Sequence, residues 1–562
     1  MNKLKWWQKT NVYQVYPKSF LDTTGSGTGD LNGVTEKLDY LKTLGTGAIW
    51  LTPVYPSPMV DNGYDIADFT GIDPSYGTMA DMERLIAEGK KRDIRIVMDL
   101  VYNHTSDKHP WFIDSASSKD SEHSDWYIWR DAKPDGSAPT NWRSIFGGSA
   151  WKWCEARQQY YLHTFAEAQP DLNWENPKVR QALYDAANFW LEKGVGGFRI
   201  DAIVYIKKPA EFVDGEPDSE DGMVNIHSMI ANTTGILDFL HEFKAKVFSG
   251  HDIFTVAEAN GVEPKDLPQW VGEQGAFDML FEFSHMNLEF TNGELWGQAI
   301  GYTPEIIPGL KKVLTASQQA TAENGWYPIF FENHDQMRCT RHYFPDSAPK
   351  DLAAKAMASI LLTLRGTPFI YEGQELGFGN VAWDSIESYN DISSRGQYEL
   401  MLKEGKSPAR ALEIVHRYSR DNARTPMQWT KGKNAGFSAG TPWLPVHEEF
   451  AAECVETEAK DEHSVLSYYR KLAALRQQGE AAEVLIKGSY EELLADNPYI
   501  LAFKRKFEGR EVYTVVNFTD REQSYQLPEI EAASLLAGSM EGSSKGTLRA
   551  FEAQIYIREI KR

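Results

Sequence analysis

At 562 residues the chain is too long for one compact core, so two or three domains are expected. A formal net charge of −22 argues against a nucleic-acid partner, whose phosphates need a basic surface, and against an anionic membrane; the acidity is read as solubility. Hydrophobic residues make up 42% and charged residues 25%, a globular balance, and the 17 Trp suit sugar platforms as well as large cores.

The segment Met1 to Lys9 has no apolar run and no small-residue cleavage site. No stretch approaches the roughly 20 apolar residues of a membrane helix. A cytoplasmic protein without a membrane partner is expected. Asn11 to Pro17 reads as the first strand. The turn after it carries oxygens at alternate positions: Asp22, Thr24, Ser26, the Thr28 carbonyl and Asp30. Alternating oxygens on a glycine-loosened loop suit one structural Ca²⁺ or Mg²⁺, with a metal-free turn as the equal alternative. The same glycines do not form a dinucleotide fingerprint, because the third Gly is missing and Asp30 would repel a pyrophosphate. No organic cofactor is expected. Cys154, Cys339 and Cys454 have neither metal-ligand spacing nor a disulfide pattern.

Leu31 to Leu44 has apolar residues at helical spacing, and Ala48 to Val54 is the second strand. A helix over Met79 to Arg92 leads to strand three, Arg95 to Val101. Strands apolar on both faces, alternating with helices, predict a buried parallel sheet. From His104 to about Trp174 the rhythm breaks into text rich in Trp, Gly, Asp, Ser and Pro, with no clear helix. It resumes with a helix over Asn176 to Lys193, strand four over Gly197 to Ala202, and a helix over Ile236 to Val247. Strand five runs Phe254 to Ala259, strand six Phe277 to Phe283, and strand seven Pro328 to Asp335. A helix over Pro349 to Leu364 precedes strand eight, Pro368 to Glu372. Eight such units predict a (β/α)₈ barrel. After an irregular polar stretch over 376–443, Ser464 to Gln477 is the last helix. Short β runs then predict a C-terminal β-sandwich. The expected domains are a catalytic barrel over 1–103 and 175–482, an insertion over 104–174, and the β-sandwich over 483–562.

Within strand four, Phe198 and Ile200 point one way and Arg199 and Asp201 the other. Arg199 can thus hold Asp201 ionised, as a nucleophile or as half of a plain ion pair. Barrel chemistry sits at the C-terminal strand ends. Asp201, Glu258 and Asp335 end strands four, five and seven, with His104 and His334 close in sequence to such ends. Carboxylates and histidines around one mouth are the tools for cleaving a glycosidic bond: one carboxylate attacks, another, kept protonated, gives its proton to the leaving oxygen.

The motifs Asp99-Leu100-Val101-Tyr102-Asn103-His104, Gly197-Phe198-Arg199-Ile200-Asp201, Val256-Ala257-Glu258 and Asn333-His334-Asp335 occur in order. Together with Asp61-Asn62-Gly63-Tyr64-Asp65, Gln169-Pro170-Asp171 and Asp421-Asn422-Ala423-Arg424, they give a chain that resembles the α-amylase superfamily, glycoside hydrolase family 13, from Trp6 to its end. Within it, the resemblance is to the α-glucosidase and oligo-1,6-glucosidase branch. The resemblance implies Asp201 as nucleophile, Glu258 as acid/base and Asp335 as stabiliser. It places His104, Phe165, Gln169, Arg199 and His334 around the same glucose and stacks Tyr64 on it. It gives Asp65 and Arg424 the non-reducing end, closing the pocket for exo-acting cleavage. Retention is implied too, with the Asp201 and Glu258 carboxyls about 5–5.5 Å apart.

Ala202 follows the nucleophile and borders the leaving sugar. In this branch a Val there resembles α-1,6 specificity and a smaller residue α-1,4. The expected substrates are therefore short α-1,4-linked maltooligosaccharides, with oligo-1,6-glucosidase and trehalose-6-phosphate hydrolase as alternatives. Met337 and Cys339 depart from the branch pattern beside the leaving-sugar sites, and sucrose isomerisation is not expected. A non-catalytic sugar-binding or transporter-partner protein is the alternative of another class. A monomer is expected.

Overall fold

The apolar runs become eight parallel strands: β1 Asn11–Val15, β2 Thr46–Leu51, β3 Arg95–Leu100, β4 Gly197–Ile200, β5 Phe254–Glu258, β6 Met279–Phe281, β7 Pro328–Ile329 and β8 Thr367–Tyr371. The structure is a computed structural model and describes residues 4–290, 295–447 and 452–560. The strands lie in the order β6-β5-β4-β3-β2-β1-β8-β7. β6 and β7 face each other across the seam, where the Phe281 and Phe330 rings meet edge to face at 4.8 Å and His285 Nε2 lies 2.8 Å from the Phe330 carbonyl. This is the expected (β/α)₈ barrel. β1, β2 and β8 are buried along their whole length, as strands covered on both faces must be.

Local chemistry sets the element ends. The helix Met79–Lys91 starts on a Thr78/Asp81 capping box, and Pro177–Lys193 starts on Asn176 with Pro at its first turn and stops at left-handed Gly194. Gly197 opens β4 with φ 152°; a Cβ there would lie 2.1 Å from the Phe254 carbonyl oxygen, so glycine lets β4 and β5 close up.

Several expectations change. Leu31 to Leu44 is two short helices, broken at Lys37 (φ −98°, ψ 6°). The Ile236 helix ends at Phe243 and widens into a π turn over Lys244–Phe248. β7 pairs over only two residues; Phe330 to Asp335 leaves the sheet. The insertion does hold a helix, Pro110–Ser117, capped by His109, beside a three-stranded antiparallel sheet of Trp129–Arg130, Gln159–Leu162 and Trp151–Cys154. The stretch expected to be irregular holds the helices Ile392–Lys403, capped by Asp391, and Pro408–Tyr418, capped by Ser407.

The C-terminal part is a five-stranded antiparallel sheet with a two-stranded ribbon, Gln523–Ser524 with Thr547–Leu548. Its strand Arg510–Asn517 is apolar on both sides. Val512 and Val516 join the barrel's core, while Tyr513 and Val515 pack with Tyr525 and Leu548 of the ribbon side. The sheet is thereby sandwiched between ribbon and barrel.

The turn expected to hold a cation satisfies its carboxylates internally. Asp22 accepts from the Thr24, Gly25 and Gly27 amides and from the Thr24 and Ser438 hydroxyls. Asp30 accepts from the Thr23 amide and hydroxyl and caps a helix through the Gly33 amide. Ser26 Oγ instead donates to the Thr28 carbonyl at 3.0 Å. Among the described residues no group of three or more His, Cys, Asp or Glu is placed to hold a metal ion. No described helix is long and apolar enough to cross a membrane.

Candidate active site

Arg199 is the hub. Its register neighbours are Asp99 on β3 and Val256 on β5, and its guanidinium lies 5.0 Å from the Trp50 ring inside the barrel. Nη1 donates to Asp99 Oδ1 at 2.9 Å and also to Asp201 Oδ1, while Nη2 donates to Glu258 Oε2. One guanidinium thus holds the ends of three neighbouring strands. The Tyr64 hydroxyl and Trp50 Nε1 donate to Asp99 Oδ2 at 3.0 and 3.1 Å, completing its shell.

Burial outweighs the pull of Arg199, which lowers the Asp201 pKa as expected. Burial pushes this pKa up to about 6, and Asp99 adds to the rise, against the pull of Arg199 and His104. Arg199 limits the rise without reversing it, because it is shared with Asp99. Asp201 still remains mostly ionised at neutral pH.

Asp335 is treated in the opposite way. Burial pushes its pKa up, but His334, Arg420 and Arg424 together hold it well below the usual carboxylate range. Burial takes His334 itself down to about 4, so at neutral pH the two guanidiniums carry this effect. Arg424 Nη2 lies 2.8 Å and Arg420 Nη1 3.2 Å from Asp335 Oδ1. His334 Nε2 is 2.9 Å from Asp335 Oδ2, its Nδ1 meets Gln14 Nε2 at 2.8 Å, and its ring stacks on Tyr64 at 5.1 Å and 7°.

These groups surround a cavity of about 150 Å³. Tyr64, His104, Phe165, Asp201, Ala202, Glu258 and Asp335 line it as expected. Arg199, His334, Gln169 and Arg424 stand behind the wall as positioning residues. Gln169 Nε2, for example, bonds Asp61 Oδ2 and sits beside His104 Nε2, both at 3.2 Å.

Asp65 is a correction. It is fully buried, and its oxygens accept from the Val60 and Asp61 amides at 2.9 and 3.0 Å, which fixes the turn. Asp61, four residues earlier, is the carboxylate at the pocket. It accepts from Arg420 Nη2 at 2.9 Å, and Arg420 also donates from Nε to Asp391 at 2.8 Å. The ion pair that lines the cavity is thus Asp61–Arg420, and Asp65 and Arg424, expected there, stand behind it. Asp61 and Arg420 lie in or next to the motifs, so the signal existed one turn away. Asn260, Asn287, Phe290, Trp296 and Tyr418 also line the cavity, from segments whose sequence gave no such signal. Of the two departures, Met337 lines the cavity, whereas Cys339 is buried with its amide donating to Glu332 at 2.9 Å.

Ala202 has a left-handed backbone, φ 43° and ψ 36°. Such a conformation is costly for a β-branched residue. The arrangement as a whole offers two carboxylates on one guanidinium, Asp201 and Glu258, and a third, Asp335, held ionised, around a small polar-and-aromatic hollow. That is the equipment of acid-assisted nucleophilic displacement at an acetal carbon.

The model of the alpha-amylase catalytic domain matches residues 14–486. An oligo-1,6-glucosidase of Parageobacillus thermoglucosidasius is 42% identical over 561 residues, 98% of each chain. A solved trehalose-6-phosphate hydrolase of Bacillus licheniformis superposes with a TM-score of 0.90 at 40% identity, covering 99% of this chain and 100% of that one. A mutant isomaltulose synthase from Erwinia rhapontici, solved in complex with D-glucose, superposes with a TM-score of 0.92 at 39% identity and the same coverage.

Proposed function

The chain belongs to the α-amylase superfamily and to its glucosidase branch, and from that premise we propose a retaining, exo-acting α-glucosidase that takes single glucose units from short α-glucosides, α-1,6-linked ones of the isomaltose type first. In this reading Asp201 attacks the anomeric carbon, Glu258 protonates the leaving oxygen and later activates water, and Asp335 holds sugar hydroxyls. The carrying observation is the single Arg199 guanidinium bonded to both Asp201 and Glu258, with Asp335 across the same cavity. Carboxyls held on one guanidinium suit the close pairing that retention requires. The Asp61–Arg420 pair supports exo action, because it walls the hollow with a fixed ion pair.

The α-1,6 preference draws on the oligo-1,6-glucosidase relative rather than on the expectation from Ala202. A second reading, cleavage of α-1,4-linked maltose and maltotriose, is favoured by the small Ala202 side chain in the cavity wall. Hydrolysis of trehalose 6-phosphate ranks below both. Among the described residues the one cation lining the cavity is Arg420, already bonded to Asp61, Asp335 and Asp391. A purely sugar-binding role fits poorly with three carboxylates brought to one hollow.

The test is a comparison of kcat/KM for isomaltose, maltose, maltotriose and trehalose 6-phosphate. Isomaltose is expected to lead. A leading phosphate ester would overturn the reading, and no glucose release from any of them would remove the enzyme altogether.

A further inference from the structure

A second and larger cavity, of about 1030 Å³, lies away from the catalytic carboxylates, between the insertion and the loop after β4. In a chain of net charge −22 its lining holds five cations, Lys119, Arg130, Arg157, Lys207 and Lys208, against two carboxylates, Asp125 and Glu175; Lys208 is neutralised by Asp171 behind the lining, and Arg157 is spent on Gln159 and three backbone carbonyls. We propose that this cavity is a second ligand site, for the phosphate dianion of a phosphorylated sugar.

The cations are available in graded fashion. Arg130 lies over the Phe212 ring at 4.2 Å and donates to the Trp129 carbonyl at 2.8 Å; no carboxylate of the described residues pairs with it. Lys207 pairs with Glu175 and Lys119 with Asp131, but those carboxylates are 61% and 75% exposed. Exposed pairs are weak, so an incoming dianion can exchange with them. The guanidinium fork and the two ammonium groups are the donors that phosphate recognition uses.

The two cavities are linked through the chain after Asp201. Ala202 lines the catalytic one, and Ile206 to Lys208, four to six residues on, line the other. Lys208 Nζ bonds Asn103 Oδ1 at 3.0 Å and Asp171 at 2.8 Å, and Asn103 Nδ2 lies 3.3 Å from His104 Nδ1. With the Tyr205 carbonyl these bonds use all three Lys208 donors, so Lys208 supports the catalytic pocket and leaves the anion to Arg130, Lys207 and Lys119.

The inference goes beyond the proposed function and does not rest on it, because the primary readout is binding without turnover. The test is calorimetric titration of the full chain with glucose 6-phosphate, inorganic phosphate and glucose, repeated on R130Q, K207Q and the catalytically disabled D201N. Saturable one-site binding of phosphate or its ester is expected, unchanged in D201N and weakened about tenfold or more in R130Q and in K207Q. Tighter binding of the ester assigns the sugar phosphate; equal affinity assigns the free ion to the same site. No saturable binding of either, affinity retained in both lining variants, or binding of glucose alone with equal strength would overturn the proposal.

Discussion

The Asp61 carboxylate accepts from Arg420 at 2.9 Å, across 359 residues of chain, at the wall of the catalytic cavity. Arg420 is held there by Asp391 and Asp335 as well, so removing the Asp61 charge leaves the guanidinium anchored. Asp61→Asn is thus expected to spare the fold and to weaken the grip on the terminal glucose. A hydrogen bond to a charged group contributes about 1.5–3 kcal/mol, which corresponds to a fall of roughly 10- to 150-fold in kcat/KM. Asp65→Asn is expected to act through stability instead, because Asp65 holds the turn through the Val60 and Asp61 amides and the Ser57 side chain. Melting curves beside kinetics separate the two, and a larger kinetic loss in Asp65→Asn at unchanged Tm would reverse the assignment.

Asp201 is a buried carboxylate within reach of two others through Arg199. Asp201→Asn keeps the shape, removes the proposed nucleophile, and leaves Arg199 its bonds to Asp99 and Glu258. Turnover is expected to fall by at least about a thousandfold. Stability is expected to hold or rise. The folded pKa stands above the unfolded one, so ionised Asp201 opposes folding at neutral pH, by the order of 1–3 kcal/mol. A melting temperature several degrees below wild type would show that Asp201 stabilises the barrel.

The barrel was legible because apolar strands alternate with stretches whose apolar residues recur at helical spacing. Arg199 and Asp201 were legible from strand alternation alone. The choice between Asp61 and Asp65 was not. Both sit in one five-residue turn, and which faces the cavity is decided by the backbone amides that Asp65 collects. β7 was overread for a related reason. Its text is strand-like to Asp335, but pairing ends at Ile329, and the chain beyond ends in a turn in which the Asn333 side chain accepts the Asp335 amide at 2.8 Å. The helix Ile392–Lys403 escaped notice because it buries Ser394 and Gln397 beside Met401, which leaves little apolar stripe to see.

The pH profile should report the Asp201 environment. Asp201 must be an anion to attack, and its pKa is pushed up to about 6. As pH falls through about 6 the carboxylate protonates and kcat/KM drops, tenfold per unit below it. His334 titrates lower, at about 4, and so does not shape this limb. An acid limb close to the ordinary Asp value of about 3.9 would mean that Arg199 outweighs burial. The same sign applies to stability: the cost of ionised Asp201 is relieved as pH falls through about 6.

Ala202 joins specificity to backbone geometry. Its left-handed conformation is tolerable for alanine but disfavours valine, and its side chain lies on the cavity wall beside Asp201. Ala202→Val adds two methyl groups there and strains the turn that carries the nucleophile. A change on the methyl scale is worth about 1–3 kcal/mol in discrimination. The ratio of kcat/KM for maltose to that for isomaltose is therefore expected to fall by about 5- to 150-fold, with a modest loss of Tm from the backbone. If the ratio stays put while Tm drops, residue 202 only supports the turn, and linkage choice must lie with the side chains across the cavity, such as Met337.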